Sequence, residues 1–194
     1  IGRLVGSVYG IVAGDTSNTG QEIPVRQAVE TLDAEFQDSI QNISDTVSHD
    51  RRKITSSDGL ISVQWEDVLS VFSAWIAGDA SGTPVTTLTD AQLDDLRILM
   101  WEMTEIDYDT HVETHTEKVT GIDEKGNKKT HTETVRETVL TIEITHKSPS
   151  EVEKEYSFTD RQKEYLALLT SPDTDPLWAQ LPGPYSTGAR EIIS

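Results

Sequence analysis

Residues Thr110 to His146 read THVETHTEKVTGIDEKGNKKTHTETVRETVLTIEITH. Thr, Val and Ile favour extended backbone, and they recur here with a period of two, the period of a strand. Gly126-Asn127 interrupts the pattern, after which the same residue types return. The stretch therefore predicts a long antiparallel hairpin, Tyr108–Ile122 against Lys128–His146. Its register is left open, because a one-residue change in the loop turns every side chain to the other face.

The flanks on both sides are helical. Upstream, Val25, Val29, Leu32, Phe36, Ile40, Ile43 and Val47 recur at spacings of three and four and predict one helix opened by Pro24 and closed near Ser48. That stripe either packs on its own domain or forms the seam of an oligomerising spacer. A second helix is expected from Trp65 to Gly78. The pattern Thr89-Asp90-Ala91-Gln92 is a capping box with Leu88 and Leu93 as its staple, and it starts a third helix running to about Glu105. Downstream, Ser148-Pro149-Ser150-Glu151 and Thr159-Asp160-Arg161-Gln162 are two more capping boxes. Trp65, Trp75, Trp101 and Trp178 are read as core, and residues 176–181 as a last helical turn. The order of helices, hairpin and helices, without a βαβ rhythm, gives an α+β fold in which amphipathic helices pack with the long hairpin. Residues 1–22 read as a membrane-proximal segment and linker, 23–181 as the domain, and 182–194 as a linker toward a further domain.

Composition narrows the chemistry. The formal net charge is −18 and the basic residues are scattered, with Arg51-Arg52-Lys53 the one small cluster. Phosphate binding needs clustered Lys and Arg, so no nucleic-acid partner is expected. Cysteine is absent, which removes thiol catalysis, disulfides and cysteine-based zinc sites. There is no phosphate-binding loop, dinucleotide fingerprint or nucleophile elbow. No cofactor is expected.

Two sets of residues carry possible chemistry. On a strand, His111, Glu113 and His115 share a face, with His131 and Glu133 available from the second strand. These five are taken as a candidate interaction surface. A metal site can be drawn from them, but alternating Glu, Thr and His equally describe a solvated strand face that resists aggregation. Glu66 beside Trp65 and Glu102 beside Trp101 are the carboxylates from which a muramidase-like site would be built. An acidic residue in a helix's first turn is, however, expected from the helix dipole alone.

Several stretches together resemble a known family: VYGIVAGDTSNTGQEIPVRQAVETLDAEFQDSIQNI, WEDVLSVFSAWIAGD, LRILMWEMTEI, LTIEITHKSPSEVEKEYSFTDRQKEYLALL and PLWAQL. The chain is similar to the non-catalytic N-terminal region of CHAP/NlpC-type cell-wall peptidases encoded by conjugative elements of Firmicutes. The resemblance implies an extracellular accessory domain, anchored at the cell surface by a membrane segment upstream. A peptidoglycan hydrolase domain would follow in cis, and the partners would be conjugation machinery proteins or peptidoglycan. It carries no catalytic residue onto any position here, so this segment is expected not to be an enzyme.

Overall fold

In the computed structural model, residues 22–78, 85–174 and 178 are described. The expected membrane-proximal segment at 1–21, the linker at 182–194 and most of the turn at 176–181 lie outside them. The described chain runs β1 (Ile23–Pro24), α1 (Val25–Thr46), β2 (Arg51–Ser56), α2 (Trp65–Ala77), β3 (Thr87–Leu88), α3 (Asp90–Met103), β4 (Thr104–Ile122), β5 (Lys128–His146), α4 (Pro149–Glu155) and α5 (Asp160–Leu169). A 3-10 turn, Pro172–Thr174, follows. The fold is α+β.

The helical stripe of α1 packs on its own domain. Val25, Val29, Leu32, Phe36 and Ile40 are buried in the common core, and Ile43 and Val47 pack against it. Pro24 is not the first helical residue. It sits in the extended cap position, φ −59° and ψ 142°, and pairs with Thr87 in the β1–β3 bridge. The helix starts one residue later.

At the centre of the helical layer lies α2, which contacts α3, α4 and α5. It is buried nearly all round, which accounts for Ser70 and Ser73 in its interior. Their hydroxyls donate back to the carbonyls of Glu66 and Leu69, each at 2.6 Å, so neither polar group is left unsatisfied. Gly78 closes the helix at φ +76°, its N–H donating to Ala74 O at 3.1 Å; a side chain there would be strained. All three capping boxes form, on Thr89, Ser148 and Thr159. Trp65 and Trp178 are fully buried. Trp75 and Trp101 are only partly buried and pack against the outside of the core, where the Trp101 indole N–H reaches Glu35 at 3.1 Å.

Trp65 explains an otherwise awkward carboxylate. Its indole N–H donates to Asp33 Oδ1 at 2.9 Å. Burial still outweighs that bond, and the Asp33 carboxyl is held above the usual range. The folded state therefore favours the neutral form, and ionisation at neutral pH costs stability. Asp33→Asn keeps an acceptor for Trp65 without the charge. Its urea midpoint at pH 7 is expected above that of the wild type, with the gap closing as pH falls through the carboxylate range. A lower midpoint at pH 7 would show that the charged hydrogen bond dominates.

The sheet holds the main departure from the sequence reading. β4 and β5 pair antiparallel over their whole length, from Thr104↔His146 to Ile122↔Lys128. The first strand thus begins four residues before Tyr108, and α3 ends at Met103 and passes into it with no intervening loop. A third strand, β2, lies parallel to β5, from Arg51↔Val139 to Ser56↔Ile144. The sheet order is β2-β5-β4. Leu140, Ile142 and Ile144 point from the central strand into the core.

Candidate functional site

The helices cover only the base of the hairpin. From Val112↔Thr138 to Ile122↔Lys128, eleven register pairs continue outward, and none of their residues is buried. At about 3.3 Å per residue the projecting arm is about 35 Å long. Its turn is tightly specified. Gly126 N–H donates to Asp123 O (2.9 Å) and Asp123 N–H to Asn127 O (2.9 Å). The Asp123 carboxylate accepts from the N–H groups of Asn127 (2.8 Å) and Lys125 (2.9 Å), and these bonds hold its pKa below the usual range. Gly126 takes φ +83°, the left-handed position that closes a three-residue hairpin loop.

With the register fixed, the two faces of the arm separate by parity. One face carries Glu113, His115, Glu117, Val119 and Gly121, opposite Glu137, Val135, Glu133, His131 and Lys129. His111 lies on it at the base, opposite Val139. All five residues picked from the sequence, His111, Glu113, His115, His131 and Glu133, therefore share one face. The sequence reading did not include Glu117 and Glu137, which belong to the same group.

Each carboxylate of this face finds a partner within the chain. Glu113 stands directly opposite Glu137, and Glu117 opposite Glu133; like charges so placed are destabilising. Arg51 of β2 relieves the first pair. Its guanidinium donates to Glu113 and lies 3.6 Å from Glu137. His111 donates to Glu113 at 2.9 Å, and this bond, followed by the Arg51 charge, lowers the Glu113 pKa. Histidines meet the second pair at hydrogen-bond distance, His115 on Glu117 at 3.0 Å and His131 on Glu133 at 2.6 Å. Each histidine faces its own strand neighbour. Among the described residues no three His, Asp or Glu side chains converge as a metal site would require.

The opposite face of the arm is chemically different. It carries Val112, Thr114, Thr116, Lys118, Thr120 and Ile122, against Thr138, Arg136, Thr134, Thr132, Thr130 and Lys128. There are three cations on it and no carboxylate. It continues the side of the sheet that faces the core at the base, beyond the reach of the helices. The cations were visible in the sequence, but their common face depends on the register.

At the foot of the hairpin, His146 is nearly buried. Its side chain is 8% exposed. Nε2 donates to Ser62 O at 2.8 Å, and Nδ1 lies 2.7 Å from Asp58 Oδ2. Burial pushes Asp58 up, but hydrogen bonds from Ser56, Leu60 N–H and His146 outweigh it, so the carboxyl lies below its usual range. Both ring nitrogens face oxygen atoms of neighbouring residues. This pair ties the turn after β2 to the end of β5.

The two muramidase-type candidates lie on helices, Glu66 on α2 and Glu102 on α3. Glu66 is buried in the first turn of α2. Glu102 accepts a hydrogen bond from the Tyr156 hydroxyl. A shallow groove on α1, lined by Thr31, Ala34, Glu35, Asp38, Ser39 and Asn42, includes neither. Its Glu35 is engaged by Arg97 and Trp101, each at 3.1 Å. No helix among the described residues is long and apolar enough to cross a membrane. Comparison of the chain with protein-family profiles, with curated proteins and with solved structures finds no match.

Proposed function

We propose that this chain is a non-catalytic binding module whose contact element is the projecting arm. One observation carries the reading: eleven strand pairs extend past the core with no buried residue, and β2 with its preceding residue reaches only the first two of them, through Asp50 on Thr138 and Arg51 on Glu113 and Glu137. A two-stranded ribbon of this kind gains little from its own packing, and its length adds nothing to the core. The resemblance noted above supplies the setting. In that setting the module is extracellular, held at the cell surface by a membrane segment upstream. It positions a peptidoglycan hydrolase domain in cis, against conjugation machinery proteins or against peptidoglycan itself.

The test is to remove the arm and keep the body. Replacing Thr114–Arg136 by Asn-Gly joins Glu113 to Glu137 through a two-residue turn and deletes no core side chain. The thermal midpoint is expected to stay within about 4 °C of wild type, as for a change worth at most ~1 kcal/mol. Retention on isolated sacculi and on purified envelope proteins of the conjugation machinery is expected to disappear. Unchanged retention would refute the arm as the contact element. Release of soluble muropeptides by the intact chain would replace the binding reading with the enzymatic one.

A further inference from the structure

Resting on the reading of the arm as the contact element, we infer that the arm accepts an acidic, extended segment of a partner polypeptide, added as a strand along the open edge of β5 between Lys128 and Arg136. The argument has three parts: the edge, the charge and the position.

The edge comes first. β2 occupies this side of β5 only from Val139 to Ile144. Asp50 ends that pairing. Its N–H donates to Thr138 O at 2.9 Å, and its carboxylate accepts from Thr138 N–H at 2.8 Å. Both backbone groups of Thr138 thus point outward, away from β4. In an antiparallel pair this orientation repeats at every second residue. Lys128, Thr130, Thr132, Thr134 and Arg136 therefore present their N–H and C=O groups on the same open edge, in line with β2. A polypeptide strand satisfies such a row, and pockets for alternate side chains then set specificity.

Charge identifies the chemistry of that strand. Every carboxylate on the acidic face of the arm has a partner within the chain, either Arg51 or a histidine. Lys118, Lys128 and Arg136, on the other face, make no ion pair with any described residue. Val112 and Ile122 bracket these cations and are among the most exposed large apolar side chains, at 57% and 75%. A strand with acidic residues at every second position places them beside Arg136 and Lys128 while its backbone fills the edge. A polyanion without amides fits less well: three cations spread along about 26 Å are sparse for phosphate binding.

Position removes the obvious objection, which is that the chain as a whole is strongly acidic at −18. At about 3.3 Å per residue the arm carries Lys118 and Lys128 more than two Debye lengths from its base, since screening acts over about 8 Å at physiological salt, while Arg136 lies two register pairs out from Val112↔Thr138. A second copy of the chain is disfavoured as occupant, because both bodies carry the same large negative charge.

The experiment uses the 194-residue chain and a fluorescent nine-residue peptide with Glu at every second position and Thr or Val between. Anisotropy is expected to report saturable binding that weakens with salt. The same peptide with Lys for Glu is expected not to bind. Nor is a version N-methylated at alternate amides, which keeps its charge but cannot join the edge. Lys118→Glu, Lys128→Glu and Arg136→Glu are each expected to weaken binding about fivefold, and all three together to abolish it. Equal binding of the N-methylated peptide, or equally strong competition by polyphosphate, would overturn the strand proposal in favour of a general polyanion surface. Concentration-dependent dimerisation lost on arm removal would instead assign the edge to a second copy. If the acidic peptide fails to bind while arm removal still abolishes retention on envelope material, this inference falls and the binding role of the arm stands.

Discussion

Phe36→Ala is expected to cost about 3–5 kcal/mol of stability and to lower the thermal midpoint by on the order of 10 °C. Phe36 is fully buried at the middle of the α1 stripe, and its ring lies 6.0 Å from that of Trp101. Truncation removes the stripe's largest side chain and leaves a void between α1 and the partly buried Trp101. Chemical denaturation measures the cost directly. A loss below 1 kcal/mol would show that α1 is only loosely docked and that its stripe is available to another chain. The same burial changes how an oligomerisation test on this helix should be read. Phe36→Asp or Ile40→Asp would unfold the monomer, so a change in sedimentation would report misfolding and not a lost coiled-coil seam.

His146→Ala is expected to be the costliest change at the foot of the hairpin, at about 3 kcal/mol, from two lost hydrogen bonds and a small void. The carbonyl of Ser62 loses its donor, and Asp58 loses its hydrogen-bond partner on the ring. The pH dependence carries a sign. The folded-state pKa of Asp58 lies below its unfolded value. Its contribution is complete above about pH 5 and fades as pH falls through the folded value. Wild type should therefore lose stability in acid more steeply than His146→Ala, in which part of the linkage is already gone. Parallel urea titrations at pH 6 and pH 3 compare the two slopes. Equal slopes would show that the pair does not bear on folding.

The second strand and the turn of the hairpin were legible because their evidence is local: alternating Thr, Val and Ile, and a Gly126-Asn127 turn; the start of the first strand at Thr104, directly after α3, was not. The capping boxes were legible for the same reason. β2 was not. Its partner lies more than 80 residues away, and a parallel pairing leaves no turn signal between the two strands. Within Arg51–Ser56 only Ile54 is apolar, so no alternation marks the strand. The candidate surface shows the same divide. That His111, Glu113 and His115 share a face follows from period two alone. That Arg51 pairs with Glu113 and Glu137 depends on β2, and that Lys118, Lys128 and Arg136 gather on the reverse depends on the loop geometry at Gly126.

The central strand has a mechanical consequence. β5 is both one side of the arm and the middle strand of the sheet, and the hairpin continues from α3 without a hinge. A pull on the tip along the arm acts lengthwise on β5 and loads its six pairings with β2, together with the antiparallel ladder at the base, in shear. Bonds loaded in shear give way together, whereas bonds peeled from one end break in turn. The hairpin is thus built to carry tension from whatever grips its tip into the body as a stiff rod, without unravelling.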